Sequence, residues 1–243
     1  ARDLYEALEL VPCLSFGRDE DDVIGVGLHG NWAEEGKCLF LLDGRQLNEN
    51  DFGTYGIGQR IPLANVERIE VLRGPASVMH GGYASLGVIN IITRSADQGA
   101  GARATFQTGY SADNITSTME SISGSHRLSR DQEISYSVTN ERGNRSNALR
   151  LLPDSTTLNF ADSTLLQAST FQFNYRWRNL RAKIAYMEET TALSDAPYSV
   201  QMRDIILGST YDAKVSDKVS LILGINHADQ LPWYYVNTTE PNL

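Results

Sequence analysis

The sequence predicts an α+β domain followed by antiparallel transmembrane β-strands of a barrel wall, and three observations carry that prediction. Val66–Arg94 reads VERIEVLRGPASVMHGGYASLGVINIITR, which spells strand, turn, short helix and strand. Beyond Arg94 the pattern changes to repeated polar and apolar alternation over segments long enough to cross an outer membrane. The connections between those segments alternate between short and long, the asymmetry of a barrel with tight turns on one side and extended loops on the other.

Within the first stretch, Val66, Ile69, Val71 and Leu72 are interleaved with Glu67, Arg68 and Glu70, as in a strand with one better-buried face. Arg73-Gly74-Pro75 ends it. Pro75 is preset for the start of a helix, Ala76–Met79 supply one turn, and Gly81-Gly82 offer the positive φ that closes it. Val88–Thr93 is a nearly continuous apolar run, which suits a strand covered on both faces.

Upstream, Asp3-Leu4-Tyr5-Glu6 has the spacing of a capping box, and Leu4, Leu8 and Val11 recur at helical intervals, so a short helix is expected over Asp3–Leu10 before Pro12. Leu14-Ser15-Phe16 alternates like a brief strand. Asp19-Glu20-Asp21-Asp22 could hold a hard cation or form a solvated loop. Gly25-Val26-Gly27-Leu28-His29-Gly30 matches the dinucleotide pattern GxGxxG, but another glycine, Gly36, follows where a long helix should run, which argues against a nucleotide site. Lys37–Gly44, KCLFLLDG, predicts an apolar strand closed by an Asp-Gly turn. The Gly- and Asn-rich connection Leu47–Arg60 carries Phe52 and Tyr55; irregular segments of that length are functional or disordered.

Downstream, Ala102/Ala104/Phe106/Tyr110, Ile134/Tyr136/Val138, Phe171/Phe173/Tyr175/Trp177, Leu180/Ala182/Ile184/Tyr186 and Val219/Leu221/Leu223/Ile225 each share one strand face. With the weaker Ile115–Gly124 and Asp204–Asp212 they make about seven strands of barrel length. Arg103, Gln172, Asn174, Arg176, Arg181 and Lys183 fall on the opposite, lumenal face. A soluble sandwich also alternates, so connection lengths decide. Short turns are expected at Leu128–Asp131, Arg178-Asn179 and Val215–Lys218, and long connections at Glu141–Ser163 and Glu188–Arg203.

A net charge of −9, from 30 acidic and 21 basic residues, with no basic run, disfavours nucleic acid as a partner. No apolar run is long enough for a membrane helix, which leaves membrane strands open. His29, His80, His126 and His227 lack metal spacing, no nucleophile motif is present, and neither an enzyme nor a cofactor is expected. Cys13 and Cys38 are either two buried thiols or one disulfide, the latter worth roughly 3 kcal/mol if unstrained.

Val66–Arg94 resembles the C-terminal half of the plug domain of TonB-dependent outer-membrane receptors, whose motif runs close to VERIEVLRGP, then YG, then GGVINIIT. Lys37–Gly44 resembles the plug strand commonly written VLVLIDG, and Leu28-His29-Gly30 falls where the family has Ile-Arg-Gly. Three positions depart: His29 replaces that Arg, His80 a usual Tyr, and Leu86 the first of two glycines. The resemblance implies a plug domain over residues 1–94 whose N-terminal end is missing. It implies that residues 95–243 are the first strands of an incomplete barrel of a type with about 22 strands, the rest lying on the same polypeptide or another chain. It further implies TonB-dependent active transport of a scarce ligand, such as a ferric siderophore, across the outer membrane of a Gram-negative (diderm) bacterium. The TonB complex would act through the missing N-terminal segment, with outer-membrane lipid around the wall. The alternative is a non-transporting receptor-like barrel serving as a structural component of a larger outer-membrane assembly of several chains. Two plug-apex loops, Asn31–Gly36 and Asn48–Gly58, would help form the ligand pocket, with Asn31, Trp32, Asn50, Phe52 and Tyr55 as contacts; the aromatics equally suit packing against the wall. Arg73 corresponds to a family Arg that pairs with barrel glutamates to lock the plug, and His29 would make that lock pH-sensitive or absent.

Overall fold

The structure is a computed structural model that describes residues 3–18, 24–32, 36–50, 53–94, 100–111, 114–144, 149–151, 157–159, 165–192 and 198–237. The acidic run Asp19–Asp22 and Phe52 lie outside the described residues. Helix α1 (Leu4–Glu9) starts at Asp3, whose carboxylate accepts the Glu6 amide at 2.8 Å, as the capping spacing predicts. Leu4 and Leu8 are its buried pair.

Strand β1 (Leu14–Arg18) pairs antiparallel with β2 (Ile24–Leu28), which turns through His29-Gly30 into β3 (Asn31–Trp32). Both turn residues have positive φ, 52° and 77°, as a two-residue hairpin of the primed type requires. The run Gly25–Gly30 is therefore strand and hairpin with no helix behind it, which removes the nucleotide reading. The expected Asn31–Gly36 loop is likewise shortened, because its first two residues continue the sheet.

Strands β4 (Cys38–Leu42) and β5 (Arg45–Gln46) form a second such hairpin about Asp43-Gly44. Then come β6 (Val66–Arg73), α2 (Ser77–His80) and β7 (Gly87–Thr93), in the sheet order β5-β4-β7-β6, with β4 parallel to β7 and β6 antiparallel to it. The pleat sends Cys38, Phe40, Leu42, Ile89 and Ile91 into the main core, and Leu39, Leu41 and Val88 into a smaller cluster with Ala76 and Ala84. Both faces of β4 and β7 are thus covered, as their unbroken apolar runs require.

The remaining strands are β8 (Gly101–Ser111), β9 (Asn114–Arg127), β10 (Gln132–Asn144), a small hairpin of β11 (Leu149–Leu151) and β12 (Thr157–Asn159), then β13 (Leu165–Trp177), β14 (Leu180–Ala192), β15 (Tyr198–Lys214) and β16 (Ser220–Asn237). Seven of them form one antiparallel sheet, β16-β15-β14-β13-β10-β9-β8. Register aligns Val138, Phe171 and Tyr186, and beside them Tyr136, Phe173 and Ile184, on the outer face. Thr139, Thr170, Gln172, Lys183 and Asp204 are buried on the inner face. Aromatic side chains outside and charges buried inside invert the polarity of a soluble sandwich and match a lipid-facing wall. Ala185, Met187 and Ile206 are the wall side chains that join the main core among the described residues. The three expected short turns are present. The expected long connection Glu188–Arg203 is not, because β14 and β15 extend through it and leave only residues 193–197 between them.

Candidate functional site

The N-terminal domain meets the wall through two polar knots and an open cavity. The first knot forms on the irregular segment after β5. Arg60 is 4% exposed, and its Nη1 lies 2.5 Å from Asp204 Oδ2 on β15. Its Nη2 donates to the Gly56 carbonyl at 2.9 Å, and its guanidinium carbon sits 4.6 Å from the centre of the Tyr55 ring. Gln230 Nε2 on β16 donates to Asp204 and to the Leu47 carbonyl, both at 3.0 Å. Thr170 on β13 donates to the Arg60 carbonyl, and the Gln59 amide donates to Glu189 on β14 at 2.8 Å. Burial alone would lower the Arg60 pKa, but Tyr55, Asp204 and Glu189 outweigh it and the net shift is upward. Burial pushes the Tyr55 hydroxyl up as well. The approach needs Gly58, where a Cβ would overlap the Glu189 carboxylate.

The second knot centres on Asp43, the first turn residue between β4 and β5. Its carboxylate accepts the Thr93 amide at 2.8 Å, the Thr93 hydroxyl at 2.7 Å and Lys183 Nζ of β14 at 2.6 Å. Lys183 also reaches Gln172 and Asn174, each at 3.3 Å. Burial would raise the Asp43 pKa; the Lys183 ammonium and the two Thr93 bonds overcome it and hold the carboxyl below its ordinary value. Arg45 Nε donates to Asn226 of β16 at 3.0 Å, and Asn65 Nδ2 donates to Thr139 of β10 at 3.1 Å.

Beside the first knot, toward the strand ends, lies an open cavity of about 500 Å³, bordered by Asp3, Ile57, Gln59, Gln107, Glu141 and Glu189. Its wall residues sit near the ends of β8, β10 and β14 that lead into residues 112–113, 145–148 and 193–197, opposite the short turns. In an outer-membrane barrel that end faces outward.

The residues singled out in the sequence are scattered relative to this cavity. Asn31 and Asn50 are exposed and neither borders the cavity, and Trp32 lends its backbone to β3. Tyr55 is 6% exposed and packs on Phe40 with ring centres 5.1 Å apart, so it supports Arg60 from the core. His29 and Arg73 are exposed and hold one corner: the His29 amide donates to the Cys13 carbonyl at 3.0 Å and Arg73 Nη1 to the Pro12 carbonyl at 3.4 Å. The disulfide is not formed. Cys38 is buried in β4, where burial pushes its thiol up to about 12, and Cys13 is exposed at a positive-φ position. Arg60, Gln59, Asp43 and Asp204 were not anticipated. The one available signal was Arg60 set between the apolar Ile57 and Ile61.

A small sheet domain seated by ion pairs against the inner, polar face of an antiparallel wall defines the class of plugged barrels. Residues 1–88 match the TonB-dependent Receptor Plug Domain. The chain is 42% identical over 106 residues to the iron-regulated outer membrane virulence protein of Vibrio cholerae, a match covering 40% of this chain and 15% of that protein. It is 30% identical over 103 residues to the vitamin B12 transporter BtuB of Vibrio vulnificus, covering 42% of this chain and 16% of that one. In fold it resembles the siderophore receptor PirA of Acinetobacter baumannii, with a TM-score of 0.66 at 14% identity over 94% of this chain and 37% of that one. The chain thus spans well under half the length of these relatives. Residues 1–88 thus carry the plug domain of TonB-dependent receptors, and the proteins that the chain resembles are outer-membrane receptors and transporters of Gram-negative bacteria.

Proposed function

We propose that this chain forms the plug, residues 1–94, and part of the barrel wall, residues 95–243, of a receptor that takes up a scarce ligand such as a ferric siderophore, driven by the TonB complex. The observation that carries this reading is the chemistry of the plug's seat. Arg60–Asp204, Asp43–Lys183, Gln59–Glu189 and Asn65–Thr139 tie plug to wall, whereas only Ala185, Met187 and Ile206 of the described wall residues enter its apolar core. Separated polar groups recover hydrogen bonds from water, but exposed apolar surface costs about 25 cal/mol per Å² and recovers nothing. A seat of this kind can be left and regained, as a gated transporter needs.

In this reading ligand enters from the outward cavity beside Gln59 and Glu189. Asn31 and Trp32 of β3, together with Asn50 and Phe52, are the proposed ligand contacts. Movement of the 53–61 segment would then open Arg60–Asp204 and transmit occupancy to the seat. Deletion of the complete gene, followed by uptake of a radioactive ferric catecholate chelate under iron limitation, tests the proposal: uptake should fall and return on complementation. Unchanged uptake from that chelate and from a panel of other ferric siderophores would overturn the siderophore reading.

A further inference from the structure

A second cavity, of about 200 Å³, lies where the plug hands over to the wall. Its border combines Thr93 and Arg94 at the end of β7 with Arg103 of β8, Ser123 of β9, Ser137 of β10 and Gln172 of β13. The lining is rich in donors and holds two guanidinium groups and no carboxylate among the described residues. Arg94 spends its Nε on the Ala64 carbonyl at 3.2 Å, which leaves its Nη groups for another acceptor. No described carboxylate pairs with Arg94 or Arg103, although the same structure pairs Arg60, Arg68, Arg176, Arg178 and Arg181 with acids.

Gln172 sharpens the point. It is 2% exposed, and its Oε1 must face Lys183 Nζ at 3.3 Å, because an ammonium can only donate. That fixes the amide orientation and leaves Nε2 as a buried donor without a partner among the described residues. An unpaired buried donor costs about 1–3 kcal/mol and calls for an acceptor. Guanidinium groups suit an oxyanion, which they bind through paired N–H donors. The volume admits a tetrahedral oxyanion with several waters of about 30 Å³ each.

We propose that this seam binds a small oxyanion of the phosphate or sulfate class, held between Arg94 of the plug and Arg103 of the wall, so that the bound anion bridges the two. Arg103, Ser123, Ser137 and Gln172 of the lining are successive register partners on the inner face of the wall, although Tyr136 of the outer face also borders the cavity; that inner-face row assigns the site to a free oxyanion rather than a lipid headgroup. The proposal stands apart from ligand uptake and does not depend on it.

The test is titration of the full-length receptor in detergent with inorganic phosphate at constant ionic strength, read by calorimetry and by hydrogen exchange of residues 87–94 and 101–111. The expected result is saturable binding that slows exchange in both segments. Arg103→Gln, and separately Arg94→Gln, should weaken it at least about tenfold, with partial recovery in Arg103→Lys. Exchange of the main core confirms that each variant is folded, and Gln172→Leu offers a third variant without a charge change. Absence of saturable phosphate binding overturns the proposal, as does equal binding by wild type and both arginine variants. Stabilisation by monomeric short-chain phosphatidylglycerol but not by inorganic phosphate also overturns it, by making the seam a lipid site.

Discussion

Replacing Asp204 by alanine removes one half of the most buried ion pair between plug and wall. Asp204 is 2% and Arg60 4% exposed, so the remaining guanidinium loses its ion-pair partner and keeps the Gly56 carbonyl, the Tyr55 ring and the field of Glu189, while Gln230 loses one of its two acceptors. Breaking a buried pair from one side costs about 3–5 kcal/mol. At about 1.4 kcal/mol per tenfold, the population of unseated plug should rise roughly a hundredfold to several thousandfold. Hydrogen exchange of residues 53–61 in the full-length receptor reads that population directly. The double replacement Arg60→Met with Asp204→Leu leaves no uncompensated charge and should exchange nearly as slowly as wild type. Exchange of Asp204→Ala at the wild-type rate, or of the double variant as fast as the single one, would refute a seat held by this pair.

The Asp43 knot carries a pH signature. Its folded pKa lies below the ordinary 3.8, so its stabilisation is complete above that value and is lost as pH falls through the lowered one. Acid titration of the wild-type seat, followed by exchange at residues 87–93, should therefore show a loss below about pH 4 that Asp43→Asn, already weakened by about 3–5 kcal/mol, lacks. Gly58→Ala should push the Glu189 carboxylate off the Gln59 amide and cost about 1–3 kcal/mol, seen as a lower unfolding midpoint. Maleimide should label the exposed Cys13 and spare Cys38, whose thiol is buried and pushed up to about 12. Labelling of Cys38 at the Cys13 rate in the folded receptor would contradict the packing of β4.

The strands were legible because their periodicity is local. KCLFLLDG and VINIIT announce sheet covered on both faces, and Phe171, Phe173, Tyr175 and Trp177 announce an outer face, before any tertiary contact is known. Lys183 and Gln172 were placed on the lumenal side by the same parity, and both are buried there. What they bind was not legible. Asp43 reads as a turn residue, and only the fold brings Lys183 to it from 140 positions away. Arg60–Asp204 spans 144 positions, a pairing that no spacing rule reaches. Tyr55 stayed open between ligand contact and packing for a related reason: an aromatic in an irregular segment suits either, and only the fold sets it beside Phe40 and Arg60. Neither reading of the cysteines, two buried thiols or one disulfide, anticipated that Cys38 is buried while Cys13 is free and exposed.

Under the proposed function the plug must leave its polar seat for ligand to pass. In a Cys13→Ser background, Asn65→Cys with Thr139→Cys places two thiols where the native side chains lie 3.1 Å apart across the seat. A short cleavable bis-maleimide joining them should leave binding of the ferric chelate at the cell surface intact and abolish its uptake, with uptake returning once the linker is cleaved. Uptake at the unlinked rate through a fully cross-linked receptor would contradict the claim.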